Sequence, residues 1–401
     1  MLGYFLSSWR TGFIALPTLF AAFALAILFL TSTLHVFAAE TNSVAQPKFL
    51  GSQTCSSSSC HGGAGEKNNQ YTIWSTHDFH HARPYATLET ARSERLAEVL
   101  KIGNPTQSAR CTVCHAPFAT VPPERLRHDA QITEGISCET CHGPAENWIR
   151  SHTRTDYTHA DRVAAGMRDL KNLYVRANTC VACHQNIDPE IRAAGHPELI
   201  FELDGQSVTM PRHWPKPPAS FHAKAWLIGQ SVALREMTWQ LSNDKSTDKS
   251  LSERAAGLFW VLRTVSQDRG DAPTIKGNSS LNAEDLVGVR DWADRLAEVG
   301  EAASPSDNLT RRGLFLLANT SESFTDNNIP QPIQARRAEH LVLALDRLTL
   351  ALPDATTNST VNQSLNKLFA DAQSLPDFDP NQFAKDLNTF HSSVAGFLET
   401  K

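Results

Sequence analysis

The chain has 401 residues, 41% of them apolar, and a formal net charge of −5. So mild an acidity excludes a nucleic-acid binder of the usual basic kind, and no run of like charge is long enough to act as a polybasic or polyacidic tail. The apolar fraction is that of a chain able to bury a core.

In chain order, the first predicted element is residues 1–39. Arg10 is the only charged residue before Glu40, and Phe13 to Leu30 is almost wholly apolar. Two readings compete. The segment is an export signal cleaved after residues 36–38, or a retained membrane anchor through residues 12–31, which reach spanning length. Both send the rest of the chain across a membrane, because Arg10 lies on the near side and the next positive charge is Lys48. Export of this kind points to a bacterial periplasm.

Residues 40–221 form the second region, rich in short polar loops and poor in long apolar periods. All eight cysteines fall in it, between Cys55 and Cys183. From about His222 the pattern changes. Apolar residues recur at helical spacing in Ala223–Leu241, Ser252–Val265, Ala283–Val299, Leu309–Ala318, Gln334–Leu352 and Gln382–Leu398. Asn282 and Asp307 read as helix caps, and 267–281 and 353–363 as loops. The expectation is therefore a mainly α protein. A domain of little regular structure spans 40–221, and an α-helical domain spans 222–401.

The cysteines are not scattered. Cys111–Cys114–His115, Cys138–Cys141–His142 and Cys180–Cys183–His184 each spell C-x-x-C-H, and Cys55–Cys60–His61 repeats the pattern with four serines in the gap. In C-x-x-C-H the two thiols add to the vinyl groups of one haem, and the histidine that follows turns its imidazole under the iron. A longer gap can bulge outward and keep the Cys-His end intact. Disulfides suit an exported chain, and zinc knuckles use cysteine pairs. Neither requires a histidine after every second cysteine. The reading is four covalently bound haems c, attached at Cys55, Cys60, Cys111, Cys114, Cys138, Cys141, Cys180 and Cys183, with His61, His115, His142 and His184 as proximal ligands. Only 130 residues separate Cys55 from His184 inclusive. That is too little chain for four separate domains, so the haems must share one core.

A sixth ligand for each iron has to come from elsewhere. Methionine is scarce, with four in the chain against sixteen histidines, which favours bis-histidine ligation and a lower potential than His/Met centres have. The distal candidates are His77, His80, His81, His128, His152, His159, His196, His213 and His222. His340 and His391, in the later helices, read as structural. Glu139, Arg150, Arg154 and Asp156 are available acid/base groups, each most simply a solvated surface charge.

Four stretches resemble the multihaem cytochrome c-554/c-prime family. They are GSQTCSSSSCHGG (51–63), YTIWSTHDFHHARPYATL (71–88), EGISCETCHGPAENWIRSHT (134–153) and AAGHPELIFELDGQSVTMPRHW (193–214). The resemblance implies distal roles for His81, His152 and His196, with His80 an alternative to His81. It also implies that one iron is five-coordinate or is closed by a late histidine, here His213 or His222. Many relatives carry a further haem motif in the helical part, where this chain has no cysteine.

The functional expectation is a periplasmic electron carrier without catalytic residues, exchanging electrons with redox partner proteins in the periplasm or inner membrane. The alternative is a multihaem oxidoreductase acting on a small nitrogen or sulfur compound at an open, high-spin haem.

Overall fold

The helical spacing that begins near His222 becomes, in the computed structural model, a set of long helices, and the polar region before it becomes short ones. The structure describes residues 46–398 apart from 244–248, 276–279, 305 and 374–376. The signal or anchor expected at 1–39 lies outside the described residues. Among the described residues no helix is long and apolar enough to cross a membrane. No strand forms there either, β geometry being limited to an isolated parallel bridge between Phe49 and Leu126. The mainly α expectation holds.

The first ten helices are short: α1 (Gln70–His77), α2 (Phe79–Ala82), α3 (Pro84–Thr87), α4 (Ala91–Leu100), α5 (Ala109–His115), α6 (Cys138–His142), α7 (His159–Ala164), α8 (Leu173–His184), α9 (Pro189–Ala193) and α10 (Leu203–Thr209). Most start on a side chain that accepts a free backbone N–H. Asp78 caps α2, Thr90 caps α4, and Asn172 caps α8 by accepting from Val175 at 2.9 Å.

The later helices are α11 (Ser220–Asn243), α12 (Lys249–Val265), α13 (Ala283–Ala302), α14 (Asp307–Ala318), α15 (Gln331–Leu350), α16 (Pro353–Thr356), α17 (Ser359–Gln373) and α18 (Pro380–Leu398). Asn282 caps α13 as expected, with Asp285 accepting from its backbone N–H at 3.1 Å. For α14 the cap is Ser306, and Asp307 is the first helical residue. The loop expected over 353–363 is α16 followed by the start of α17. Asn358 Oδ1 accepts from Thr360 and Val361, which starts a helix where polar composition suggested none. Val361, Leu365, Leu368 and Ala372 then bury one of its faces.

These helices enclose the apolar core. Trp226, Trp292, Phe259, Phe324, Phe383 and Phe390 are almost wholly buried, each such side chain contributing about 1.5–3 kcal/mol. The core also takes in Leu173, Ala177 and Val181 of α8 and Phe201 and Leu203 around the start of α10. Polar ties reinforce the α8 contact. The Tyr174 hydroxyl donates to Asp294 of α13 at 2.8 Å, and Leu173 N–H donates to Glu301 at 3.2 Å. Pro47–Lys401 accordingly forms one compact unit, with the core running across position 221.

The stretch before α8 is built differently. Between Pro47 and Asn172 the buried apolar side chains are Leu88, Ala97, Ala116, Phe118, Ala130, Ala145 and Trp148. Four of the seven are alanines, far less apolar volume than a chain of this length normally encloses.

Candidate cofactor site

Each C-x-x-C-H motif ends a helix. The motifs form the C-terminal part of α5, the whole of α6 and the last turn of α8. Helical spacing of three and four residues puts the first cysteine, the second and the histidine on one side. Gly143 then stops α6 with φ 83°, a conformation that suits glycine.

The four-serine motif reaches the same end by another route. Residues 52–55 make a 3-10 turn, Cys60 N–H donates to Ser57 O at 2.9 Å, and His61 N–H donates back to Cys55 O at 3.2 Å. That closure brings Cys55 and His61 together and leaves Ser57, Ser58 and Ser59 exposed. It needs glycine at position 62, where a Cβ would lie 1.8 Å from Ser56 O. The outward bulge expected from the sequence is present.

Three of the four proximal histidines face a partner. The ring centroids of His61 and His152 are 6.1 Å apart with the planes 21° from parallel. Those of His81 and His184 are 6.2 Å apart at 81°, and those of His115 and His196 are 6.4 Å apart at 80°. Two imidazoles bound to opposite sides of one metal ion, with bonds of about 2 Å each, have centroids about 6 Å apart. All three pairs meet that requirement, and they use His81, His152 and His196.

The paired rings also hold their other nitrogen in the way ligands do. His61 Nδ1 donates to Gln70 Oε1 at 2.9 Å, and His81 Nδ1 to Asp78 at 2.8 Å. His115 donates to Pro84 O at 3.0 Å, His152 to Ile149 O at 2.6 Å, and His196 to Pro197 O at 2.8 Å. His184 Nδ1 lies 3.3 Å from the side-chain amide of Gln206. For the five that donate through Nδ1, Nε2 remains free to ligate.

The other candidates have different surroundings. His80 is exposed where His81 is half-buried. His77 is exposed and engages Thr76, and the His128 side chain is fully exposed beside Asp129. His159 spends Nε2 itself on Asp169, at 2.9 Å. His222 gives Nδ1 to the wholly buried Asp204 at 2.9 Å. His213 Nδ1 faces Pro211 O at 3.4 Å, and its charge acts on His142. Burial first, and then the charges of His213 and His61, push His142 down to about 4. His340 is buried within α15, and His391 packs on Phe315.

All eight cysteines are free thiols, and they mark which motifs adjoin. Cys55 shares a side-chain hydrogen bond with Cys138, and Cys114 shares one with Cys183. Cys141, pushed up by burial, next feels Cys180. The motifs therefore follow one another in space in the order Cys55, Cys138, Cys180, Cys111, which differs from their order along the chain.

Glu139, between the two cysteines of α6, is 1% exposed and so is no surface charge. It accepts from Leu50 at 2.8 Å and from Gly51 and Ala145 at 2.7 Å, which ties the strand-like 47–51 segment to the motif. Desolvation raises its pKa against the pull of these bonds. Arg154 and Asp156 pair in the open, as expected of solvated groups. Asp78 and Gln70 escaped the sequence reading. For Asp78 a signal existed in its position three residues before His81. Burial would raise this carboxyl, but the hydrogen bonds and charge of His81 hold it below its ordinary value.

Haem fits these residues. Among the described residues no three His, Cys, Asp or Glu side chains converge to hold a bare metal ion. Opposed histidine pairs beside paired thiols are instead the residues that would hold a porphyrin, the imidazoles as ligands to its iron and the thiols as its anchors. Buried polar atoms next to the pairs point the same way. Trp148 Nε1, whose ring packs edge-on against His152, and Gln206 Oε1, beside His184, have no protein partner.

Residues 54–143 match the family model described as cytochrome c554 and c-prime. The match covers the first three motifs and ends before the fourth. Comparisons with curated proteins and with solved structures gave no match.

Proposed function

Since residues 54–143 carry the cytochrome c554 and c-prime signature, we propose that the protein is a tetrahaem c-type cytochrome that carries electrons between redox partners in the periplasm. Bound haem supplies one-electron exchange at iron, at a potential set by its surroundings. The chain supplies everything else. Eight thiols would anchor the haems, the four motif histidines would each bind an iron, and His152, His81 and His196 would supply a second imidazole to three of them. The observation that carries the reading is the separation of the three imidazole pairs, 6.1, 6.2 and 6.4 Å.

The thiol contacts define a path. They join the Cys55 motif to the Cys138 motif and the Cys114 motif to the Cys183 motif, with Cys141 and Cys180 adjoining between them. Motifs so close would hold neighbouring haems within electron-transfer reach, and a row of centres of which three face two imidazoles each would conduct rather than catalyse. Mass spectrometry of the denatured mature chain tests the attachment. The expected result is the peptide mass plus four haems. A bare peptide mass, or one lowered by disulfide formation between Cys55 and Cys138 and between Cys114 and Cys183, overturns the proposal.

A second reading attaches to His142 alone. His142 has no facing imidazole among the three ring pairs above, and His213 is the histidine whose charge acts on it most strongly. An iron held only by His142 offers an open face to a small nitrogen or sulfur compound. Electron paramagnetic resonance of the oxidised protein separates the two readings. Four low-spin irons support the carrier alone. Three low-spin irons and one high-spin iron that responds to nitric oxide support chemistry at His142.

A further inference from the structure

The five paired histidines whose Nδ1 acceptor is defined do not share one kind of acceptor. His115, His152 and His196 use backbone carbonyls, and His61 uses the neutral amide of Gln70. Only His81 uses a carboxylate, Asp78 Oδ2 at 2.8 Å. That carboxylate is 4% exposed, so water screens it little. It is also held from a second direction, because Asp78 Oδ1 accepts the His81 backbone N–H at 3.2 Å as the cap of α2. The same turn is pinned on its far side, where Ile136 N–H donates to His81 O at 2.8 Å. The carboxylate thus has a fixed geometry on a fixed ring, opposite His184 at 6.2 Å.

A carboxylate accepting from Nδ1–H makes the imidazole more basic and a stronger donor through Nε2. Its negative charge also favours the more positive state of the metal. Both effects oppose uptake of an electron, and no bond to Asp78 forms or breaks when the electron arrives.

We propose that Asp78 is a potential-setting residue, which makes the centre between His81 and His184 harder to reduce than a neutral acceptor would. The inference rests on the haem reading above. It distinguishes one of the three centres that face two imidazoles, the one at Cys180 and Cys183, as a low-potential step.

The test is a potentiometric titration of the holoprotein, with each centre followed by its low-spin resonance. Asp78→Asn keeps an acceptor oxygen near Nδ1 and removes the charge. The expected result is one centre of four that reduces more easily. The reduced-to-oxidised ratio at fixed ambient potential should rise about tenfold, which for one electron is about 59 mV. The reciprocal variant, Gln70→Glu, puts a carboxylate behind His61 and should lower the potential of the Cys55/Cys60 centre instead, which keeps the test open if Asp78→Asn fails to fold. Low-spin signals intact in both variants with no potential moved would overturn the role of Asp78 and leave the haem reading standing. Absence of covalent haem from the unsubstituted protein would overturn the haem reading itself.

Discussion

At the scale of single residues, histidine count is a poor guide and histidine surroundings a good one. His80 and His81 are adjacent in sequence, yet one is exposed and the other faces His184 with its Nδ1 held by Asp78. Replacing His81, His152 or His196 by alanine is expected to convert one low-spin iron per chain to high-spin, while His80→Ala leaves the paramagnetic resonance spectrum unchanged. Glu139 is the second residue whose surroundings decide its part. Three backbone N–H groups converge on it, and hydrogen bonds to a charged acceptor contribute about 1.5–3 kcal/mol each. Glu139→Gln turns an amide N–H toward one of those donors. The expected cost is about 3 kcal/mol in denaturant unfolding of the holoprotein, with all four haems retained. The cysteines and proximal histidines were legible because C-x-x-C-H is local. The partners were not, because His61 and His152, or His115 and His196, meet only through the fold. Resemblance named those partners, and neither spacing nor composition assigned them to particular motifs.

At the scale of elements, the long helices were legible from periodicity and α17 was not. Its polar face and the Asn-Ser-Thr start read as loop, while its apolar face is only four residues. In α15 the apolar stripe hides a titratable group. His340 is fully buried, and burial pushes its pKa from 6.5 down to about 4. The folded state therefore binds the proton less readily than the unfolded one. Stability is complete above pH 6.5 and is lost as pH falls from 6.5 toward 4, by about 3 kcal/mol over the window. A His340→Leu variant should lose this part of the acid sensitivity. Melting temperatures measured from pH 7.5 to pH 4.5 check it, and equal slopes in the variant and the parent would contradict it.

At the scale of the whole molecule, the composition changes near His222 while the core does not. Leu173, Ala177 and Val181 of α8 pack with Trp226 of α11 and Trp292 of α13, and α8 ends in the fourth motif. The helical part therefore serves as the floor under the fourth motif. A chain truncated after residue 244 keeps α11 but loses Asp294 and Glu301, which hold Tyr174 and the start of α8. It is expected to mature with fewer than four haems, with the Cys180/Cys183 site lost first, as absorbance per chain and peptide mass mapping would report. Four haems in the truncated chain would show that α8 needs no such floor. Composition could not reveal this, because the residues of α8 that face the core are three small or medium apolar side chains, one of them, Val181, inside a motif that reads as cofactor chemistry.

Two of the three imidazole pairs are crossed, at 81° and 80°, and one is nearly parallel, at 21°. Ring planes on opposite sides of an iron compete for the same pair of metal d orbitals. Crossed rings perturb both orbitals equally and leave them nearly degenerate, whereas parallel rings single one out. With iron bound between them as proposed, these pairs would give one polypeptide centres of two magnetic symmetries, and the unpaired electron at the four-serine site would be told from those at the Cys111 and Cys180 sites without isotopic labelling or mutation.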